Sequence, residues 1–314
     1  RQPQVISRLQ RSVRPGSYVS DWSMLFRLGN NFIGVFGVVL GSILAVGGIP
    51  GGVFAQTTIL HSASVLFFMC SWNAINDIYD FEIDLVNRPD RPLPGGRISI
   101  KNARIASLVT MLLSIFSLVI SYYLISIAEL EAGLKISDWL PSIFIWATAL
   151  ILLINYEFPF GFRLKEKGLP GNIAISLSIG LVVVFGSSAA LQPFNTKVWS
   201  LFTIGIFYSI SREIIKDVED MEGDVGRNTL AMRIGADNAR TVAWVASLLA
   251  LTSMLIPFAI GIFPPLHVVL VIPAVMTLMM VKGKIITGED NSASGMLKKS
   301  MLLGLSAILI SSLL

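Results

Sequence analysis

Charge is scarce in this chain. Only 14% of its 314 residues are Asp, Glu, Lys or Arg, against about 25% in an ordinary soluble domain. Sulfur chemistry is almost absent. The single cysteine, Cys70, lies inside an apolar run, which excludes a disulfide framework and a thiolate metal cluster and reads as a small buried hydrophobe. Histidine occurs twice, at His61 and His267, too isolated to suggest a paired metal site. The short alternating segments of a closed β-barrel are missing as well, so helices are left as the way to satisfy the backbone in lipid. No folded nucleic-acid-reading module and no polar linker of domain-separating length occur. Nucleic acid is therefore not an expected partner.

Apolar sequence is abundant. With 54% hydrophobic residues and a mean hydropathy of +0.72, the chain reads as an all-α polytopic membrane protein. Nine apolar segments are candidate spans: 28–49, 55–79, 103–127, 137–155, 170–190, 196–217, 238–259, 262–281 and 297–314. They are expected to surround a central cavity. Eighteen Phe, six Trp and eleven Met fit lipid-facing and interhelical packing without invoking a cofactor.

Basic residues are distributed unevenly. Of the 24 Lys and Arg, all but Lys135 and Lys197 fall in the N-terminal region, in alternate loops or at the helix ends beside them. The positive-inside rule puts that side in the cytoplasm, and nine spans then leave the C-terminus outside. Residues 1–27 have no signal-peptide apolar core and carry Arg1, Arg8, Arg11 and Arg14, so they read as a basic arm on an anionic membrane surface. Residues 28–314 read as one nine-helix domain.

Acid concentrates at two places. Asp77, Asp80, Glu82, Asp84 and Asp90 follow the second span; Glu213, Asp217, Glu219, Asp220, Glu222 and Asp224 follow the sixth. Each cluster holds an Asp-x-x-x-Asp pair, Asp80/Asp84 and Asp220/Asp224, offset by 140 positions. Each is followed by the phrase R-I-x-x-x-N-A-R, from Arg97 and from Arg233, now offset by 136. This is a degenerate internal repeat, with halves at roughly 28–155 and 170–281 and equivalent sites at the ends of spans two and six.

On a helix, positions i and i+4 share a face, so each pair presents two carboxylates side by side, where like charges repel. Two facing pairs need cations. Ligation by oxygen alone suits Mg²⁺, which keeps waters and shares its shell with substrate phosphates, and two pairs call for two ions. Arg88, Arg91, Arg97, Lys165, Arg212, Lys216 and Arg227 lie in the same loops or the helix ends beside them, with Arg suited to bidentate phosphate contacts. Acids, metal and cations beside an apolar bundle form a site for an allylic prenyl diphosphate. Metal would stabilise the departing pyrophosphate while a lipophilic nucleophile attacks. A transporter of anionic lipid-like substrates would share the repeat, but would carry its acids deep within broken spans rather than at helix ends.

At these residues the chain resembles the UbiA-type intramembrane prenyltransferases, over nearly its whole length from "FRLGNN" (Arg27, Asn30, Asn31) onward. Their N-x-x-x-D-x-x-x-D motif reads here as Asn76, Asp80, Asp84. Their D-x-x-x-D motif reads as Asp220, Asp224, with Asp217 one turn earlier. The resemblance implies Mg²⁺ held by Asn76, Asp80, Asp84, Asp217, Asp220 and Asp224. It also implies a diphosphate contacted by Asn76, Arg88, Lys165 and Lys216, with Arg91, Arg212, Asn172, Arg27 and Asn31 in the same shell. Tyr156, in "NYEFPFGFRLKEKGLPGN", would stand near the reacting carbon, its ring face stabilising a developing allylic cation. "NRPDRPLPGGRIS" and "SREIIKDVEDMEGD" look most like the archaeal branch of that family. That branch transfers a geranylgeranyl group to geranylgeranylglyceryl phosphate and so forms the second ether bond of archaeal lipids. The aromatic prenyltransferases of quinone and chlorin synthesis are the alternative within the family.

Overall fold

The computed structural model describes residues 18–132, 134–221 and 228–314, and the regular elements in them are all helical. The basic arm up to residue 17, Asp224 and Arg227 lie outside the described residues. Helix α1 (Tyr18–Leu25) precedes the first span, α2 (Leu28–Val46). There follow α3 (Gly52–Tyr79), a short α4 (Phe81–Asn87), α5 (Ile100–Ala132), α6 (Ile136–Glu157), α7 (Leu169–Ser188) and α8 (Thr196–Glu219). The chain closes with a short α9 (Leu230–Ile234), α10 (Ala236–Ala259), a tight helical turn over Pro265–Val271 leading into α11 (Ile272–Ile286), and α12 (Asp290–Leu313). Among the described residues, nine helices are long and apolar enough to cross a bilayer. The chain is an integral membrane protein.

Eight spans fall within a few residues of the sequence expectation. The ninth starts at Asp290 rather than 297, because its first turns carry Asp290, Asn291, Lys298 and Lys299 and show no apolar run. Helices extend beyond the part of them that lipid covers, and hydropathy detects only the covered part.

In lipid, burial of apolar area does not drive one helix onto another; close packing and polar contacts do. Helix α2 meets α7 through two glycines. A Cβ on Gly41 would lie 2.0 Å from the Val183 carbonyl oxygen, and one on Gly186 would lie 2.1 Å from that of Val38. Backbone cannot swing aside as a side chain can. Gly41→Ala should therefore destabilise the bundle by about 1–3 kcal/mol. It should lower the unfolding temperature in detergent, whereas Gly295→Ala, whose Cβ meets nothing within 4 Å, should leave that temperature unchanged or raise it.

Buried polar side chains link the remaining spans. His61 on α3 bonds Thr57 O at 2.9 Å and Ser142 Oγ on α6 at 3.0 Å, and Ser142 donates to Ser188 on α7 at 2.9 Å. Tyr208 on α8 pairs with Ser300 on α12 at 2.8 Å, and Ser211 with Ser247 on α10 at 2.8 Å. Such interhelical bonds average about 0.6 kcal/mol each in membranes. They tie α3 to α6 and α7, and α8 to α10 and α12; α2, α3, α6, α7, α8 and α12 together line a cavity of about 550 Å³.

Candidate active site

Both acid motifs sit where a long span ends. Asp80 caps the C-terminus of α3 at φ −87, ψ 6, and Asp220 caps α8 at φ −91, ψ 3. Each cap N–H bonds the carbonyl four residues back, of Asn76 and of Lys216, at 2.9 Å. The offset of 140 therefore relates two equivalent helix ends, and Asn76 corresponds to Lys216 as Asp77 does to Asp217. A helix C-terminus carries partial negative charge, so a carboxylate there is disfavoured by about 0.3–1 kcal/mol unless a cation compensates.

Cations do compensate, and they come from distant segments. Helix α4 is capped by Asp80 at its start and by Arg88 at its end, and the Nη2 of Arg88 reaches both carboxylate oxygens of Asp220 at 2.9 and 3.0 Å. The first motif thereby holds the second. Burial pulls the Arg88 guanidinium down, but the Asp220 bond and charge outweigh it and hold it above its ordinary value. Arg91 binds two acids, Asp84 and, at 3.1 Å, Asp77. Arg27 binds Asp77 too and donates to Asn76 Oδ1 at 3.0 Å. Its backbone is left-handed at φ 51, an unfavourable conformation for a non-glycine residue that breaks α1 from α2 and sets Arg27 at the cavity rim.

Lys165 arrives on the loop between α6 and α7. Gly171 lets α7 start directly beneath that loop, since a Cβ there would stand 2.3 Å from Leu164 O. The Lys165 ammonium lies 2.6 Å from Asp80 Oδ2 and 3.1 Å from Glu157 Oε1, and 6.0 Å from the Tyr156 ring centre. Asn172, one residue after Gly171, donates to Asp217 Oδ2 at 3.0 Å. Asp84 is buried, and burial raises its carboxyl above the usual 3.8; Arg91 opposes this, while the nearby charges of Asp77 and Asp80 add to it.

Arg27, Asn76, Asp80, Asp84, Arg91 and Lys165 thus form one bonded network through Asp77 and Glu157, with the pairs Arg88–Asp220 and Asn172–Asp217 beside it. Arg212 and Lys216 meet at Glu213, at 3.3 and 2.8 Å, and line the same cavity as Tyr156. Asn31 is elsewhere. It is fully buried, its amide donates to Phe26 O at 2.9 Å and Cys70 Sγ at 3.2 Å, and it accepts from Asn73. Asn30, its neighbour, is the one that lines the cavity. Glu157 is a member that the sequence motifs do not include. It is buried and receives Asn76 Nδ2 at 2.9 Å and Lys165, so it orients both. The available signal is an acid at the end of a span, as Asp80 and Asp220 also are.

From this polar end the cavity continues between Phe68, Trp72, Trp146 and Phe185 into apolar surroundings. The donors Asp80, Asp84, Asp217 and Asp220 offer hard oxygen, which suits Mg²⁺ and not a soft metal. Among the described residues no three carboxylates gather into a preformed cage.

Comparison with known proteins gives a consistent result. The model of the UbiA prenyltransferase family matches residues 34–303. The digeranylgeranylglyceryl phosphate synthase of Methanopyrus kandleri is 31% identical over 287 residues, 90% of this chain and 95% of that one. Its counterpart in Haloquadratum walsbyi is 32% identical over 91% of this chain and 92% of that protein. In fold, a UbiA homolog from Aeropyrum pernix superposes with a TM-score of 0.69 at 16% identity, over 90% of this chain and 98% of the other. One from Archaeoglobus fulgidus, solved with DMAPP and Mg²⁺, gives 0.58 at 17% identity, over 92% and 99%. With two aspartate-capped helix ends facing each other at the head of an apolar cavity, the chain belongs to the UbiA prenyltransferase family.

Proposed function

We propose that this enzyme transfers a geranylgeranyl group from geranylgeranyl diphosphate to the free hydroxyl of geranylgeranylglyceryl phosphate, releasing pyrophosphate and forming an ether bond. The observation that carries the reading is the Arg88–Asp220 contact, which joins the two acid motifs at the polar head of an apolar cavity. Support for the acceptor comes from the two archaeal synthases, whose similarity covers nine-tenths of the chain. The A. fulgidus homolog, solved with an allylic diphosphate and Mg²⁺, supports the donor and the metal.

Asn76, Asp80, Asp84, Asp217 and Asp220, with Asp224 beyond the described residues, would hold two Mg²⁺ ions. Bound there, the metal neutralises the diphosphate and stabilises the departing pyrophosphate. The chain's own side chains do the rest. Lys165, Arg88 and Arg91, which pair with Asp80, Asp220 and Asp84, would be the cations within reach of the diphosphate oxygens. Lys216 and Arg27 complete the rim, and Asn172 and Glu157 keep Asp217, Asn76 and Lys165 oriented. The Tyr156 ring faces the cavity at the level of Lys165 and stabilises positive charge developing on the allylic carbon. Aromatic and aliphatic walls exclude water that would otherwise capture that carbon. Pyrophosphate carries away the electron pair of the broken C–O bond, and one of its phosphate oxygens takes the hydroxyl proton as the ether bond forms. The polar end faces the cytoplasm, in keeping with the bias of Lys and Arg.

The test is an acceptor screen in membranes with geranylgeranyl diphosphate. Geranylgeranylglyceryl phosphate, 4-hydroxybenzoate, homogentisate and dihydroxynaphthoate are supplied in turn, and pyrophosphate and product mass are followed with and without EDTA. Product is expected with the glyceryl phosphate alone, and none in EDTA. Turnover of an aromatic acceptor instead would replace the acceptor assignment; substrate flux without pyrophosphate release would replace the enzyme with a transporter.

A further inference from the structure

A second charged region lies in the cavity and has the opposite sign. Arg212 and Lys216 from α8 and Lys298 from α12 line it together with one acid, Glu213. Glu213 is shared by Lys216 and Arg212. Among the described residues Lys298 has no carboxylate; its Nζ donates instead to Asn30 Oδ1 on α2 at 2.6 Å, which links the first span to the last. The Nε of Arg212 is buried and has no hydrogen-bond partner among the described residues. A buried guanidinium N–H without an acceptor is costly and marks a place where another acceptor belongs. Nothing here suits a metal, because cations outnumber acids three to one.

Lys216 adjoins Asp217, but position separates Arg212 and Lys298 from the aspartates. Arg212 precedes Asp220 by eight residues, about 12 Å along the helix, on the side of the apolar cavity. Lys298 lies eight residues into α12 from its own polar end, a comparable depth.

We infer that Arg212, Lys298 and Asn30 form a metal-independent subsite for the phosphate monoester head of the acceptor, an inference that rests on the acceptor class proposed above. Arg212 offers Nε beside an Nη as a two-pronged donor, and Lys298 supplies a point charge. Asn30 accepts from Lys298 through Oδ1, which leaves its Nδ2 to donate. The two anions of the reaction are then sorted by chemistry. The diphosphate goes with metal to the acidic end, and the monoester goes without metal to the basic one. A neutral prenylated glycerol lacks the group that this subsite holds.

The experiment uses the full chain in membranes and compares wild type with Lys298→Gln, Arg212→Gln and the conservative Lys298→Arg. Losing one bond to a doubly charged head should raise KM for geranylgeranylglyceryl phosphate roughly 10- to 100-fold. KM for geranylgeranyl diphosphate should stay within about twofold, and Lys298→Arg should recover most of the loss. Geranylgeranylglycerol, without phosphate, should be used equally poorly by wild type and Lys298→Gln. Independently of turnover, geranylgeranylglyceryl phosphate should quench the fluorescence of cavity Trp72 and Trp146 in EDTA, at lower concentration for wild type than for either Gln variant. A rise in KM for the diphosphate instead of the acceptor would overturn the subsite, as would equal losses on the phosphate and alcohol acceptors. Absence of product from wild type would refute the acceptor reading alone, and the EDTA titration would still decide the subsite.

Discussion

Asp80→Ala and Asp220→Ala should each lower turnover by on the order of 10²–10³-fold, the range seen when one preorganised electrostatic contact to a developing charge is removed. The two residues cap equivalent helix ends in the same conformation, so neither half-site is expected to substitute for the other. Added Mg²⁺ should recover little, because the missing group is a ligand and not merely a source of local negative potential. Folding should survive. Lys165 keeps Glu157 as a partner when Asp80 is lost, and Arg88, about a third exposed, can turn to solvent when Asp220 is lost. Pyrophosphate release at saturating substrate, read beside unfolding temperature, separates the two effects. If both variants turned over normally, the pairing of the two motifs would be structural and the site would have to be sought elsewhere.

These aspartates are legible in the amino-acid sequence because acid next to a membrane span is expensive, and a matching copy 140 positions later is hard to attribute to chance. The spans are legible for the same reason, since lipid enforces long apolar segments. What sequence does not supply is the choice of partners. Arg88 reaches Asp220 across 132 positions and Lys165 reaches Asp80 across 85, and no local pattern encodes which cation meets which acid. Asn31 shows a different limit. The left-handed residue Arg27 interrupts the helix three residues before Asn30, which resets the helical phase. Adjacent residues on a helix point about 100° apart, so a reset of one residue exchanges a cavity-lining asparagine for one spent on packing. Glu157 escapes notice because it stands alone, without a spaced partner to draw attention to it.

The largest effect on stability should come from Arg91→Met. Arg91 stands between Asp77 and Asp84, whose side chains are only 2% and 6% exposed. Removing one partner of a buried ion pair costs about 3–5 kcal/mol, because the remaining charge is left in a poor solvent. Asp77 retains Arg27, so most of that penalty falls on Asp84. Burial already holds the Asp84 carboxyl above 3.8, with Arg91 as the main opposing influence. Without Arg91 it should rise further. The sign of the pH dependence follows from proton binding. A carboxyl whose folded pKa exceeds its unfolded value binds more protons in the folded state, so stability falls as pH rises between those two values. The deficit of Arg91→Met relative to wild type should therefore be greatest near neutral pH and shrink on acidification towards 3.8, as Asp84 takes up a proton and no longer needs a cation. Arg88→Met provides the contrast, since its partner Asp220 is 30% exposed and can be solvated. That variant should unfold within a few degrees of wild type while losing activity. Thermal unfolding of the two variants across this pH range measures the difference directly. A deficit for Arg91→Met that did not change with pH would mean that the arginine stabilises the junction of α3 and α4 through packing rather than through its charge.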